Sequence, residues 1–192
     1  PQDSSALVPW KTIATRPALQ VGSGKFLRVE LHQVELPDGQ VIDDWPWVIT
    51  PDFVNIVAET TDGLFICFRQ TKYAVSGTSL SVTGGYLEPG EDALEGGKRE
   101  LLEESGYAAS DWYYLGKYPV DGNRGAGNAH LYLARNAQWT QAIDADDLEE
   151  QQMLMLSRDE LRQSLLAGEF KVLSWSTAVA MALIWLTENE IG

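Results

Sequence analysis

The chain has 192 residues, of which 44% are hydrophobic and 22% charged, values that exclude a disordered or collagen-like protein and predict a well-formed core. Its 14 basic and 28 acidic side chains give a formal net charge of −14, which disfavours nucleic-acid and anionic membrane partners. The single cysteine has no intrachain disulfide partner and the longest apolar run is too short for a membrane span, so we expect a cytoplasmic protein.

The first fifty residues predict an antiparallel β extension. Residues 26–36 alternate apolar and polar side chains, which is the period of a strand with one wet face, and a Pro-Asp-Gly turn leads into a second strand within residues 41–50. Three tryptophans lie in this extension, namely Trp10, Trp45 and Trp47. Because aromatic side chains are enriched at protein interfaces, we interpret residues 1–50 as a homodimerisation element. The alternative is that the tryptophans cover the core of their own domain.

From residue 51 onward the pattern predicts a mixed sheet flanked by helices. Two apolar runs are separated by Thr61-Asp62-Gly63, a hairpin signal, and define strands at residues 54–58 and 64–68. Further strands are expected near residues 80–83, 112–118, 130–134 and 152–156, and helices near residues 92–105, 158–167 and 174–188. The fold class is therefore α/β or α+β, with residues 51–192 as one domain. His32 and His130 lie in predicted strands and are expected to be structural.

A glycine-rich loop runs into an acidic helix between residues 84 and 107. Glu91 and Asp92 place negative charge at the positive N-terminal end of this helix. Gly106 follows the last helical residues and suits the left-handed conformation that closes a helix. Both ends of the helix are therefore predicted from local residue types.

Three carboxylates share one face of this helix, because Glu100, Glu103 and Glu104 are spaced i, i+3 and i+4. Like charges at this spacing cost about 0.2–0.5 kcal/mol per pair, and carboxylates in the last turn oppose the helix dipole. Clustered oxygen ligands are what Mg²⁺ or Mn²⁺ requires, and such cations commonly bridge carboxylates to substrate phosphates. The segment therefore predicts a metal site, and the alternative is a solvated acidic face.

The same segment resembles the Nudix box of the Nudix hydrolase family. The matching positions are, in order, Gly85, Glu91, Arg99, Glu100, Leu101, Glu103, Glu104 and Gly106. The last position of the box is held by Tyr107, which departs from the aliphatic residue that the family usually has there. The resemblance implies a Nudix-type α/β/α sandwich and metal-dependent hydrolysis of a nucleoside diphosphate linked to another group.

The resemblance also implies a role for each matching residue. The implied metal ligands are the carboxylates of Glu100, Glu103 and Glu104 and the backbone carbonyl of Gly84. Glu100 and Glu104 are the implied catalytic residues among them. Glu91 and Arg99 occupy positions that pair in the family and hold the loop against the helix, so a structural role is implied for both.

Outside this segment the chain is most similar to the ADP-ribose and ADP-sugar pyrophosphatase branch. Residues 68–73 resemble a segment that precedes the box there, which makes Arg69 and Lys72 candidates for substrate binding. The acidic loop at residues 144–150 resembles the loop that supplies a catalytic carboxylate, for which Glu149 or Glu150 is the candidate. An acidic loop that is merely solvated is the alternative.

Two departures bear on the substrate. The branch has a proline where this chain has Gly122, and a glutamate where this chain has Val82-Thr83. Gly122 lies in a glycine-rich loop in which Arg124 is a candidate contact for a phosphate or sugar, unless the loop is a flexible surface segment.

The resemblance predicts Mg²⁺-dependent cleavage of ADP-ribose or another nucleotide sugar to AMP and a sugar phosphate, by a homodimer. Two other functions remain open at this point. One is hydrolysis of nucleoside triphosphates or dinucleotide polyphosphates, because the box leaves the leaving group open. The other is nucleotide sensing by a non-catalytic Nudix fold.

Overall fold

The computed structural model describes residues 7–143 and 151–189, which form two compact units. The N-terminal unit contains the chain up to Pro51 together with residues 119–127. The second unit contains residues 52–118 and the chain from Asn128 onward. The segment 119–127, which the sequence assigned to the second domain, therefore groups with the N-terminal unit.

The N-terminal unit is an antiparallel sheet. Its strands are β1 (Lys11–Gln20), β2 (Arg28–Glu35) and β3 (Val41–Ile49). The predicted turn between β2 and β3 is present, with the N–H of Leu36 donating to the carbonyl of Gln40. Sequence analysis missed β1, because all ten of its residues are exposed and it lacks the alternation that a half-buried strand shows. Pairing with β2 along its whole length is what makes this segment a strand.

The second unit is built on a mixed sheet. The strands that have most or all of their residues in it are β4 (Phe53–Thr60), β5 (Phe65–Thr71), β6 (Thr78–Ser81), β7 (Thr83–Tyr86), β8 (Tyr107–Ala108), β9 (Asp111–Asp121), β10 (Gly125–Trp139) and β11 (Gln151–Leu156). Strand β4 runs parallel to β10 and antiparallel to β5, which in turn pairs with β11. The short strand β7 pairs with β4 and brings Gly85 opposite Val54.

Three helices cover this sheet: α1 (Ala93–Ser105), α2 (Arg158–Leu166) and α3 (Leu173–Asn189). Alternate residues of β4 face opposite sides, so that Val54 and Ile56 pack with Leu101 of α1. On the other side Val57 packs with α2 and α3. The mixed sheet between two helical layers confirms the predicted α/β/α sandwich.

Helix α3 is apolar because one of its faces lies in the core. Its buried residues follow helical spacing and are Trp175, Ala178, Val179, Ala182 and Leu186. No helix in the described part of the chain is both long and apolar enough to cross a bilayer. Cys67 lies in the same core, where burial raises the pKa of its thiol to about 12.

Candidate active site

Caps at both ends set the position of α1. The Asp92 carboxylate accepts hydrogen bonds from the backbone N–H groups of Leu94 and Glu95, as an N-cap residue does. At the other end Gly106 adopts a left-handed conformation, with a φ of 75°, and its N–H donates to the carbonyl of Leu102. The helix thus begins and ends where the local residue types predict.

Two acidic side chains of α1 reach the end of β7. Glu104 Oε2 accepts a hydrogen bond of 3.0 Å from the backbone N–H of Gly84. The Glu100 carboxylate lies against the Cα of Gly85, at a place that a Cβ on residue 85 would overlap. Glycine at position 85 therefore allows Glu100 to approach the same stretch of backbone that Glu104 contacts.

Arg99 lies at the centre of the acidic group. Its guanidinium bonds both oxygens of Glu91, at 2.9 and 3.1 Å, and Nη1 also contacts Glu100 at 2.7 Å and Glu103 at 3.1 Å. Hydrogen bonding to Arg99 lowers the pKa of Glu91, and hydrogen bonding to Glu91 contributes most to raising the pKa of Arg99. The structure thus brings Glu91 and Arg99 together, as the resemblance implies. It adds that Arg99 also offsets the repulsion between Glu100 and Glu103.

The donor set fits a hard divalent cation. Glu100 and Glu104 offer only oxygen atoms, and both lie at the stretch of β7 that carries the Gly84 carbonyl. Within residues 7–143 and 151–189, however, no three acidic, histidine or cysteine side chains already enclose a metal position. In this arrangement Arg99 contacts one oxygen of Glu100 and one oxygen of Glu103, so a cation bound here would share both carboxylates with the guanidinium.

The predicted substrate-binding residues lie in different places. Arg69, on β5, forms an ion pair of 2.7 Å with Glu169. Lys72 follows β5 and is partly buried. Arg124 is half exposed in the N-terminal unit, with its guanidinium 5.9 Å from the ring centre of Trp45. The candidate base residues Glu149 and Glu150 lie outside the described residues.

The N-terminal unit contains a cavity of about 460 Å³ with aromatic walls. It is lined by Trp10, Thr12, His32, Val34, Trp45, Trp47, Gly122 and Asn123. His32 stacks on Trp47 with ring centres 5.3 Å apart, and Trp45 Nε1 donates to the carbonyl of Asn123 at 2.7 Å. A Cβ on residue 125 would lie 2.7 Å from the Trp47 ring, so glycine at this position leaves room for the ring that forms one wall.

The sequence alone did not predict this cavity. The available signal was that Trp45 and Trp47 lie two residues apart on one strand and so share a face. Their grouping with Trp10, His32 and the loop at Gly122 is a long-range arrangement that this signal does not contain. The histidine expected to be structural therefore lines a cavity.

Known proteins resemble this chain in sequence and in fold. A model of the NUDIX domain matches residues 30–176. Two curated relatives are each 27% identical over 179 residues, covering 93% of this chain and 94% of the relative: the methanol dehydrogenase activator of Bacillus methanolicus and the ADP-ribose pyrophosphatase of Bacillus subtilis (strain 168). A solved structure described as an ADP compounds hydrolase superposes with a TM-score of 0.78 at 20% identity, covering 96% of this chain and 98% of that one.

Proposed function

The chain belongs to the Nudix family and is a Nudix hydrolase, and from this premise we propose that it cleaves the diphosphate of ADP-ribose or a related ADP-sugar to AMP and a sugar phosphate. Its cofactor in this proposal is Mg²⁺, with Mn²⁺ as the alternative. The observation that carries the proposal is the approach of Glu100 and Glu104 to the backbone at Gly84 and Gly85.

In this proposal the carboxylates of α1 hold the cation between the helix and β7. Glu100, Glu103 and Glu104 would bind it, together with the Gly84 carbonyl. A bound divalent cation neutralises phosphate oxygens, polarises phosphorus and lowers the pKa of a coordinated water. The chain contributes orientation, because the Gly84 N–H holds Glu104 and the Arg99 guanidinium holds Glu100. Glu149 or Glu150 is the proposed base that takes the proton of the attacking water.

The proposed nucleotide substrate has support from a named relative. One relative of this chain bears the name ADP-ribose pyrophosphatase and matches it over nearly its whole length. Arg124 remains our candidate for a phosphate or sugar contact, as the sequence suggested. Lys72 and Arg69 remain proposed contacts, although the ion pair with Glu169 already engages Arg69.

We expect a substrate panel to show the highest kcat/KM for an ADP-sugar, because the resemblance outside the box and the named relative both favour that class. The panel should contain ADP-ribose, other ADP-sugars, nucleoside triphosphates and diadenosine polyphosphates, each with Mg²⁺ and with Mn²⁺, and products should be separated by chromatography. ADP-ribose should give AMP and ribose 5-phosphate. If triphosphates or diadenosine polyphosphates are cleaved at least as efficiently as every ADP-sugar, the assignment is wrong and only the hydrolase class remains.

We also propose that the protein is a homodimer. The N-terminal unit exposes several large apolar side chains, among them Leu7, Val8, Ile13, Leu19 and Phe26. A segment that exposes this many large apolar side chains favours contact with another chain. Light scattering at micromolar concentration should therefore give twice the chain mass of 21.3 kDa. A species of 21.3 kDa would contradict the proposal.

A further inference from the structure

A second polar cluster surrounds the carboxylate of Asp52, the residue immediately before β4. Its Oδ1 accepts hydrogen bonds of 2.9 Å from both the backbone N–H and the side-chain amide of Asn128. Its Oδ2 lies 3.2 Å from Lys117 Nζ and 3.3 Å from His130 Nε2. Burial opposes the ionised form of Asp52, but hydrogen bonds from Asn128, Lys117 and His130 outweigh it and lower the pKa of this carboxyl. Asp52 is therefore a charged anchor for Lys117 at neutral pH.

This cluster lies on the same side of the sheet as the α1 carboxylates. Side chains two residues apart on a strand share a face, so His130 of β10 faces the same way as Tyr132, which packs in one cluster with Leu101 of α1, and the Asp52 carboxylate contacts His130. Val54 is paired with Gly85, which Glu100 contacts, and with His130 on its other side. Two residues along a strand span about 7 Å. The Asp52 carbonyl also accepts a hydrogen bond from the N–H of Leu87, in the loop that follows Gly85.

The Lys117 ammonium has N–H donors that are available to a ligand. Its side chain is 46% exposed, and of its three N–H bonds one is directed to Asp52. No second acceptor for it lies in residues 7–143 or 151–189. Arg99, by contrast, is engaged by three glutamates, and Arg69 by Glu169. Lys117 is thus a cation near the α1 site that still has N–H donors available to a bound diphosphate.

We propose that Lys117 binds a phosphate oxygen of the diphosphate substrate and that Asp52 positions it. The inference rests on the proposed function, because it places the substrate diphosphate beside the α1 carboxylates. It adds a binding residue that the sequence resemblance does not contain. In a chain of net charge −14, a cation anchored near the glutamates offsets the repulsion of an anionic substrate.

Lys117→Met tests the binding role, because it keeps the aliphatic stem and removes the ammonium. We expect KM for ADP-ribose to rise about tenfold and kcat to change by less than about threefold, as for the loss of a charge-assisted hydrogen bond at a half-exposed site. Lys117→Arg should recover most of the lost affinity. The KM of the Lys117→Met enzyme should also depend less on ionic strength than that of the wild type.

Lys98→Met is the matched control. Lys98 is 45% exposed and bonds a single carboxylate, that of Glu95, at 2.7 Å on α1. Its removal should leave KM within about twofold of the wild-type value. Asp52→Asn tests the positioning role, since it removes the charge that anchors Lys117 and should raise KM in the same direction. If Asp52→Asn lowers the melting temperature without moving KM, its role is structural and the proposed positioning fails.

A binding measurement separates this inference from the proposed activity. Calorimetry with α,β-methylene ADP-ribose and Mg²⁺ should give a Kd about tenfold weaker for Lys117→Met than for wild type and Lys98→Met. If wild type hydrolyses no ADP-sugar but this difference in Kd is found, the proposed activity fails and the binding role stands. If the three proteins bind the analogue equally, or none of them binds it, the role of Lys117 is refuted.

Discussion

Replacing Glu104 or Glu100 by glutamine should lower kcat by about 10²–10⁴-fold and leave the fold intact. Glutamine keeps the length of each side chain, and its carbonyl oxygen can still accept the hydrogen bond that Gly84 donates to residue 104. What it loses is the negative charge that a divalent cation needs. Initial rates at saturating substrate and Mg²⁺ give kcat, and far-ultraviolet circular dichroism reports on the fold.

Glu95→Gln is the matched control for these substitutions. Glu95 lies on the same helix, but its side chain is 64% exposed and its carboxylate bonds Lys98 instead of approaching β7. We expect it to keep near wild-type turnover. Removing the cation with excess EDTA should abolish hydrolysis in wild type and control alike, and added Mg²⁺ should restore it. Near wild-type turnover by both Glu104→Gln and Glu100→Gln, or full activity in EDTA, would contradict the proposed metal site.

Gly85→Ala should lower kcat by about a hundredfold while changing stability little. Its Cβ would overlap the Glu100 carboxylate, so that side chain must move away from β7. Displacing a catalytic group by about 1 Å is enough to cost about two orders of magnitude in rate. The fold should tolerate the substitution, because the atoms that must move are the end of the Glu100 side chain and not backbone atoms. Steady-state kinetics and thermal unfolding, measured on the same preparation, check both parts.

The matched control is Gly97→Ala, on α1. There a Cβ would meet Trp112 and Val54 at 3.4 Å, which is ordinary van der Waals contact. We expect unchanged kcat and a gain of about 0.5–1 kcal/mol in the free energy of unfolding, because alanine is the better helix former. Full activity in Gly85→Ala would show that Glu100 need not approach β7 for catalysis.

Local residue types were sufficient to predict α1 and its surroundings. Asp92 and Gly106 marked the two ends of the helix, because a cap depends only on neighbouring backbone groups. The i, i+3, i+4 spacing placed Glu100 and Glu104 on one face for the same reason. The turn at Thr61-Asp62-Gly63 and the alternating strands were likewise short-range signals, and the strands predicted from them are present, except that residues 80–83 span the end of β6 and the start of β7 instead of forming one strand.

The limits of this local information are clearest at the three glutamates. Helical spacing showed that they share a face, but not which neighbour each one contacts. In the structure Glu100 and Glu103 each accept a hydrogen bond from Arg99. Glu104 accepts one from the N–H of Gly84, 20 residues away along the chain. These contacts depend on how α1 packs against β4 and β7, and that packing is decided by the buried side chains on both faces of the sheet.

The sequence by itself therefore determined the reaction class, the helix that carries the carboxylates and the layered fold, because caps, periodicity and the box motif are encoded in neighbouring residues. Three features depend on the tertiary structure alone: the formation of the exposed strand β1, the aromatic cavity, and the ion pair between Lys117 and Asp52. It also paired Arg69 with Glu169, 100 residues later. The physical reason is that such groups meet only when strands distant in sequence pair in one register, and no local pattern encodes that register.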